Sequence, residues 1–402
     1  MKARFSLNIQ ASVLAFGTGI AQLLVSVLYI LTARAMRPDE YGLIISSISL
    51  GIAIAGFTDF GANQYWVREL ASQRLSHEAL NARASTRFAI VLTLALATAI
   101  FTLTFAPAFL ATAVLLLSTS TVQTVLVPLR AIQRSESIGW LVILGRAISL
   151  TIFFALTHLQ LSPAVALWAS LALGDLLLIA FAYAVTPAEY RLQFEVSLAM
   201  NPWSGTKWYA LSVVSTSAQQ LDLPIVATVA GPGAAGIYGG VNRWTQPMLV
   251  AIGAFGSAAA PFIAATPQLR AVRTQLLRAS WILIAAIGLS LTVFIAAPWL
   301  VTSILGEDFA TSVPVLRVIS IAMLLNAVTQ PLLMTLQARK FDRLVAAILA
   351  LTVTTQLIIV AVLAPKFGAL GAGLGVLVAQ VVALLSTLIC IAAIIRRREP
   401  RN

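Results

Sequence analysis

Apolar runs close to the length that crosses a bilayer recur along the whole chain, separated by short polar breaks. A hydrocarbon core about 30 Å thick takes about 20 helical residues. Windows of that length predict twelve spanning helices. The first six lie at approximately 12–33, 43–63, 88–106, 109–128, 138–157 and 164–185. The second six lie at approximately 209–230, 238–260, 280–300, 313–334, 344–363 and 370–394. The stretch 88–128 is nearly continuous, and Pro107 is the expected break within it. Between the second and third spans, Trp66, Leu70, Leu75 and Leu80 alternate with Arg68, Glu69, Arg74, Glu78 and Arg83. That mixture predicts an amphipathic helix lying on the membrane surface, with His77 solvated. The fold class is therefore an all-α polytopic membrane protein.

The distribution of bases orients these spans. With a cytoplasmic N-terminus, 20 of the 26 Lys and Arg fall on the inner side, three (Arg34, Arg37 and Lys366) on the outer side, and Arg146, Arg243 and Arg317 within spans. An excess of that size predicts both termini inside. The polar connection 187–206 lies near the chain's midpoint and is also expected inside. Two short echoes suggest duplication: Pro38-Asp39-Glu40-Tyr41-Gly42 against Pro232-Gly233-Ala234-Ala235-Gly236, and 129–135 against 334–340. The expected organisation is two six-helix lobes, 1–190 and 207–402, joined by a cytoplasmic linker at 191–206. Six crossings per half would give both lobes one orientation and a site at their interface.

Composition removes whole classes of function. The chain is 59% hydrophobic and 10% charged, against about 25% charged in soluble proteins. The net charge of +12 sits at the ends of apolar runs rather than on a patch, so no nucleic-acid partner is expected. Cys390 is the single cysteine, and His77 and His158 are the only histidines. No disulfide framework, metal centre, phosphate-binding glycine loop or Ser–His–Asp set is present in the sequence. No catalytic residue and no metal ligand is expected.

Charges inside apolar spans are costly and usually face a bundle interior or a wet cavity. The stretch 212–246 concentrates them. Gly231-Pro232-Gly233 predicts a tight turn, and Asp222 and Arg243 lie ten and eleven residues either side of Pro232. At 1.5 Å per residue both would reach a depth of about 15 Å, the middle of the hydrocarbon. Ser212, Ser215, Thr216 and Gln219 recur at helical spacing around Asp222, and Asn242 and Gln246 flank Arg243. This hairpin is expected to line a cavity. Arg146 and Asp175 are similarly matched in depth about the 157–162 connection, either as a structural ion pair or as a second cavity site. Asp59 closes the second span, either as a helix end among headgroups or at the cavity mouth.

Several of these residues together resemble the polysaccharide and oligosaccharide flippases of the MOP exporter superfamily (Wzx-type). They are Pro38 with Tyr41-Gly42, Asp59-Phe60-Gly61, Asp222, Gly236-Ile237-Tyr238 and the run 367–372. The resemblance implies two six-helix lobes around a central cavity that opens alternately to each side of a bacterial inner membrane. It implies a polyprenyl-pyrophosphate-linked oligosaccharide as cargo, with membrane lipids and other polysaccharide-assembly membrane proteins as partners. It implies no enzyme activity and no cofactor; a coupling ion, H+ or Na+, is left open. The chemistry agrees with that cargo. Arginine offers forked donors to a pyrophosphate, and Gln219, Asn242 and Gln246 offer neutral hydrogen bonds to sugars. An ion-coupled multidrug exporter of the same superfamily is the alternative, although the intramembrane arginines disfavour cationic drugs. A membrane polysaccharide polymerase or ligase would display a large outer loop, and every outer connection here is short.

Overall fold

The computed structural model describes residues 7–194, 200–246, 280–339 and 341–398. The chain is an all-α polytopic membrane protein, with no strand among the described residues. Its helices are α1 (Leu7–Arg34), α2 (Pro38–Asp59), α3 (Ala62–Ala71), α4 (His77–Phe105), α5 (Leu110–Val125), α6 (Val127–Ala131), α7 (Ser135–His158) and α8 (Pro163–Val185). There follow α9 (Lys207–Ala218), α10 (Asp222–Val229), α11 (232–246), α12 (Ser280–Ile304), α13 (Val313–Ala338), α14 (Asp342–Phe367) and α15 (Ala369–Arg398).

Ten described segments are long and apolar enough to cross a membrane. Of the two remaining expected spans, one is broken and the other lies partly outside the described residues. The window 209–230 is broken: α9 passes into a 3₁₀ turn at Gln219–Leu221 before α10 begins. Pro224 has no N–H to offer the carbonyl of Gln220, and its ring crowds that carbonyl, so the ladder cannot run through. The window 238–260 is described only as far as residue 246. Pro107 opens a 3₁₀ turn between α4 and α5, as its missing N–H favours.

Two compact units emerge, Met1–Pro224 and Ile225–Asn402. In the first unit α1 packs on α7, α2 on α5, α4 on α5, α7 on α8, and α5 on α8. In the second, α12 packs on α13, α14 on α15, and α13 on α15. The third-on-fourth, fifth-on-sixth and fourth-on-sixth pairings of the first half recur in the second half. The division falls at Pro224, and α9 packs along α2 within the first unit. Their seam is backbone-close. A Cβ on Gly56 would fall on Ser217 Oγ, and Gly61, at φ +77°, lies against Tyr209. Ser46 Oγ donates to the carbonyl of Leu223 at 3.4 Å, and Trp203 Nε1 to that of Thr58 at 3.0 Å.

Small polar residues join α2 to α5 in the same manner. Gly51 lets the two backbones approach, and Thr112 Oγ1 donates to the Ser47 carbonyl at 2.9 Å. The Thr112 N–H in turn donates to Ser47 Oγ at 3.0 Å, which satisfies a group in the first turn of α5 that no helical carbonyl reaches. In an apolar solvent such pairings tie helices together, because lipid offers those groups no alternative partner.

Two expectations about 64–86 are corrected. The apolar face of α3 is not laid on lipid: Trp66 and Leu70 are buried with Leu75, Leu80, Ala84, Val127, Ala131 and Leu192. A tryptophan and a leucine on one face of a ten-residue helix gain as much from a protein groove as from a membrane surface, and α6 supplies that groove. His77 opens α4 and meets the ring of Tyr190 edge-on at 5.0 Å. The helix that carries the third expected span starts at residue 77, ahead of the apolar window at 88, and it includes Arg83 and Arg87.

Candidate functional site

In the first unit, close packing of α7 on α8 brings Arg146 and Asp175 together. A Cβ on Gly174 would fall on Ser149 Oγ, and one on Gly145 would lie 2.8 Å from Leu178. That approach sets Arg146 Nη1 3.0 Å from Asp175 Oδ1. The contact is ionic without the alignment of a hydrogen bond, since Asp175 Oδ1 has no hydrogen-bond donor among the described residues. Asp175 Oδ2 accepts from Ser118 Oγ of α5 at 3.0 Å. The Asp175 side chain is 3% exposed and that of Arg146 is 24% exposed. Asp175 is thus a buried anchor, and Arg146 reaches from it towards the surface of the unit.

Asp59 meets a partner that lies just outside the expected third span. Its Oδ1 lies 3.2 Å from Arg87 Nη1, and both side chains are buried. The same Nη1 donates to Asn63 Oδ1 at 2.9 Å and to Thr124 Oγ1 at 3.1 Å. Asp59 Oδ1 also accepts the N–H of Asn63 at 3.1 Å, in the first turn of α3. The chain turns there through two left-handed residues, Phe60 at φ +45° and Gly61 at φ +77°. This reversal aims Asp59 inward, so four helices (α2, α3, α4 and α5) meet at one buried ion pair. The guanidinium also stacks 5.8 Å from the ring centroid of Trp66. The one signal that pointed to Arg87 was its place at the edge of an apolar run; its partner could not be read from spacing.

Along α9 the hydroxyls of the expected polar stripe turn back on their own helix. Ser215 donates to the Leu211 carbonyl at 2.7 Å and Thr216 to Ser212 at 3.1 Å; Ser217, outside that stripe, donates to Val213 at 2.7 Å. Such back-bonding satisfies a hydroxyl within its own helix. Gln219 is exposed, in the 3₁₀ turn, and Asp222 is buried at the start of α10. Asp222 belongs to the first unit and Arg243 to the second.

In the second unit, α11 carries an amide ladder. Asn242 Nδ2 donates to Tyr238 Oη at 3.3 Å, and Gln246 Nε2 to Asn242 Oδ1 at 3.4 Å. Spacing of four residues stacks these groups on one helical face. Arg243 is buried one residue away, while Asn242 and Gln246 are half-buried. Gly240 admits Phe309 against α11, and Ser312 Oγ donates to the Ile237 carbonyl at 3.1 Å, which fixes the helix to the start of α13. A second ladder of the same kind, absent from the expected site, lies on α13: Gln330 Nε2 donates to Asn326 Oδ1 at 3.2 Å. Its spacing was legible, but a lone amide pair in a hydrophobic run carries little signal. Among the described residues no group of His, Cys, Asp and Glu forms a metal site.

No protein-family model and no curated protein matches the sequence. Solved structures do match over nearly the full chain. An inward-facing multidrug resistance MATE family transporter of the MOP superfamily aligns with a TM-score of 0.67 at 14% identity, covering 94% of this chain and 96% of its own. The lipid II flippase MurJ, in an inward closed conformation, aligns with a TM-score of 0.70 at 14% identity, covering 94% and 87%. A MOP superfamily transporter from Pyrococcus furiosus, described as having a binding pocket of reversed polarity, aligns with a TM-score of 0.59 at 13% identity, covering 96% of both chains. The chain has the fold of the MOP-superfamily transporters.

Proposed function

We propose that this protein is a flippase that carries a polyprenyl-pyrophosphate-linked oligosaccharide from the cytoplasmic to the outer leaflet of a bacterial inner membrane. The observation that carries this reading is Arg243: a buried guanidinium on a helix whose neighbouring face is an amide ladder. A pyrophosphate asks for a forked cation in a medium of low dielectric. A sugar asks for neutral donors and acceptors, which Tyr238, Asn242 and Gln246 supply. The fold shared with a lipid II flippase supports a lipid-linked cargo. In this reading Arg243 meets the pyrophosphate, and the prenyl tail stays in lipid. The protein then acts as a transporter and performs no bond chemistry.

The test is delivery of lipid-linked glycan to the outer leaflet, normalised to protein in the membrane. Arg243→Lys keeps the charge and loses the fork, and is expected to cut delivery about tenfold, the scale of one lost charged hydrogen bond. Arg243→Ala is expected to cut it further at equal abundance. Undiminished delivery by Arg243→Ala would make this arginine structural.

The likeness to MATE multidrug transporters supports a second reading, an ion-coupled exporter of small organic cations. A carboxylate would then lead the site, and Asp222→Asn would abolish drug efflux while Arg243→Lys spared it.

A further inference from the structure

The buried pair at Asp59 leaves half of its guanidinium unused. Arg87 spends Nη1 on Asp59, Asn63 and Thr124. Its Nε and Nη2 have no hydrogen-bond partner among the described residues, although the residue is only 1% exposed. Those two N–H groups form the side edge of the fork, the edge that grips an acceptor with two parallel bonds. A small cavity lies beside them, with room of about 10 Å³, lined by Arg87, Phe88, Ser120, Thr121, Thr124 and Phe194 among others. The rings of Phe88 and Phe194, both in its lining, have centroids 5.1 Å apart. Thr121 and Thr124 already donate to the carbonyls of Leu117 and Ser120. The Ser120 hydroxyl is buried and has no partner among the described residues.

We propose that the free edge of Arg87 and the hydroxyl of Ser120 bind a chloride ion, held inside the first unit at the end expected to face the cytoplasm. Three arguments converge on a small monatomic anion. The open groups are two obligate donors and one hydroxyl free to donate, and a halide accepts all three without needing an acceptor in return. The space is that of a single small particle. The local charge is unbalanced: Asp59 feels both Arg87 and Arg130, one carboxylate against two guanidiniums. The anion completes the junction of α2, α3, α4 and α5 and holds the turn at Phe60-Gly61 in place. This role is separate from cargo transport and stands or falls without it.

The experiment uses the full chain purified in detergent and follows thermal unfolding at fixed sodium, with chloride exchanged for gluconate. In the wild type the melting temperature is expected to rise with chloride and to saturate. Ser120→Ala removes one donor and should raise the half-saturating chloride concentration about tenfold. Ser120→Val also fills the space, and should abolish the chloride response while leaving the Arg87–Asp59 pair intact. Bromide diffused into crystals should give an anomalous peak beside Arg87. Identical melting in chloride and gluconate would mean that a water fills the space. A chloride response unchanged in both Ser120 variants would place the anion elsewhere. Either result overturns the proposal.

Discussion

Arg146 Nη1 stands 3.0 Å from Asp175 Oδ1 across the α7–α8 contact, and the carboxylate's other oxygen accepts from Ser118 of α5. Three spans therefore share one carboxylate. The asymmetry of exposure within the pair sets what each substitution should do.

Asp175→Ala removes the buried member and leaves Arg146 partly in contact with the surface of the unit. Arg146→Ala leaves a carboxylate that is 3% exposed with only Ser118 to hold it. Arg146→Ala should therefore cost more membrane-inserted protein than Asp175→Ala, and the double variant should recover part of that loss. Quantitative blotting of membranes reads both. If each single variant inserts normally and neither transports, the pair serves the cargo instead.

Asp59→Ala should be harsher still. It strands Arg87, whose side chain is 1% exposed, without its carboxylate. Removing one partner of a fully buried pair costs about 3–5 kcal/mol, enough to deplete folded protein. Asp59→Asn keeps a hydrogen-bond acceptor for Nη1 and should retain more. Equal abundance of Asp59→Ala and the wild type would sink the structural role of this pair.

At the α2–α9 seam, Gly56→Ala places a methyl group on Ser217 and should lower the melting temperature. Ser217→Gly opens the matching space. The double variant Gly56→Ala with Ser217→Gly should regain most of the loss, since the clash is with that side chain. Additive losses in the double variant would show that the two helices do not meet as described.

The orientation rests on the charge asymmetry and is tested by reporter fusions at residues 36, 196, 234 and 402. Inside signals are expected from 196 and 402, and outside signals from 36 and 234. An outside signal at 402 would reject the cytoplasmic termini.

Hydropathy determined much of this protein by itself. Spans are set by residues adjacent in sequence, each choosing lipid or water on its own chemistry, so the approximate place of most of them could be read locally. Pro107 marked its break because proline acts on its own backbone. Arg146 and Asp175 could be matched because two helices joined by a short turn must share depth. Tertiary structure decided the rest. Whether Arg87 is a loop base or a buried charge depends on Asp59, Asn63 and Thr124, which arrive from three other helices. Whether the face of α3 meets lipid or protein depends on α6 and Leu192, far along the chain. Whether α9 goes with the first unit depends on a glycine in α2 small enough to receive it. Linear pattern reports the solvent each segment prefers. Only packing selects which partner satisfies a charge or a groove, because the energy lies in a contact between distant residues.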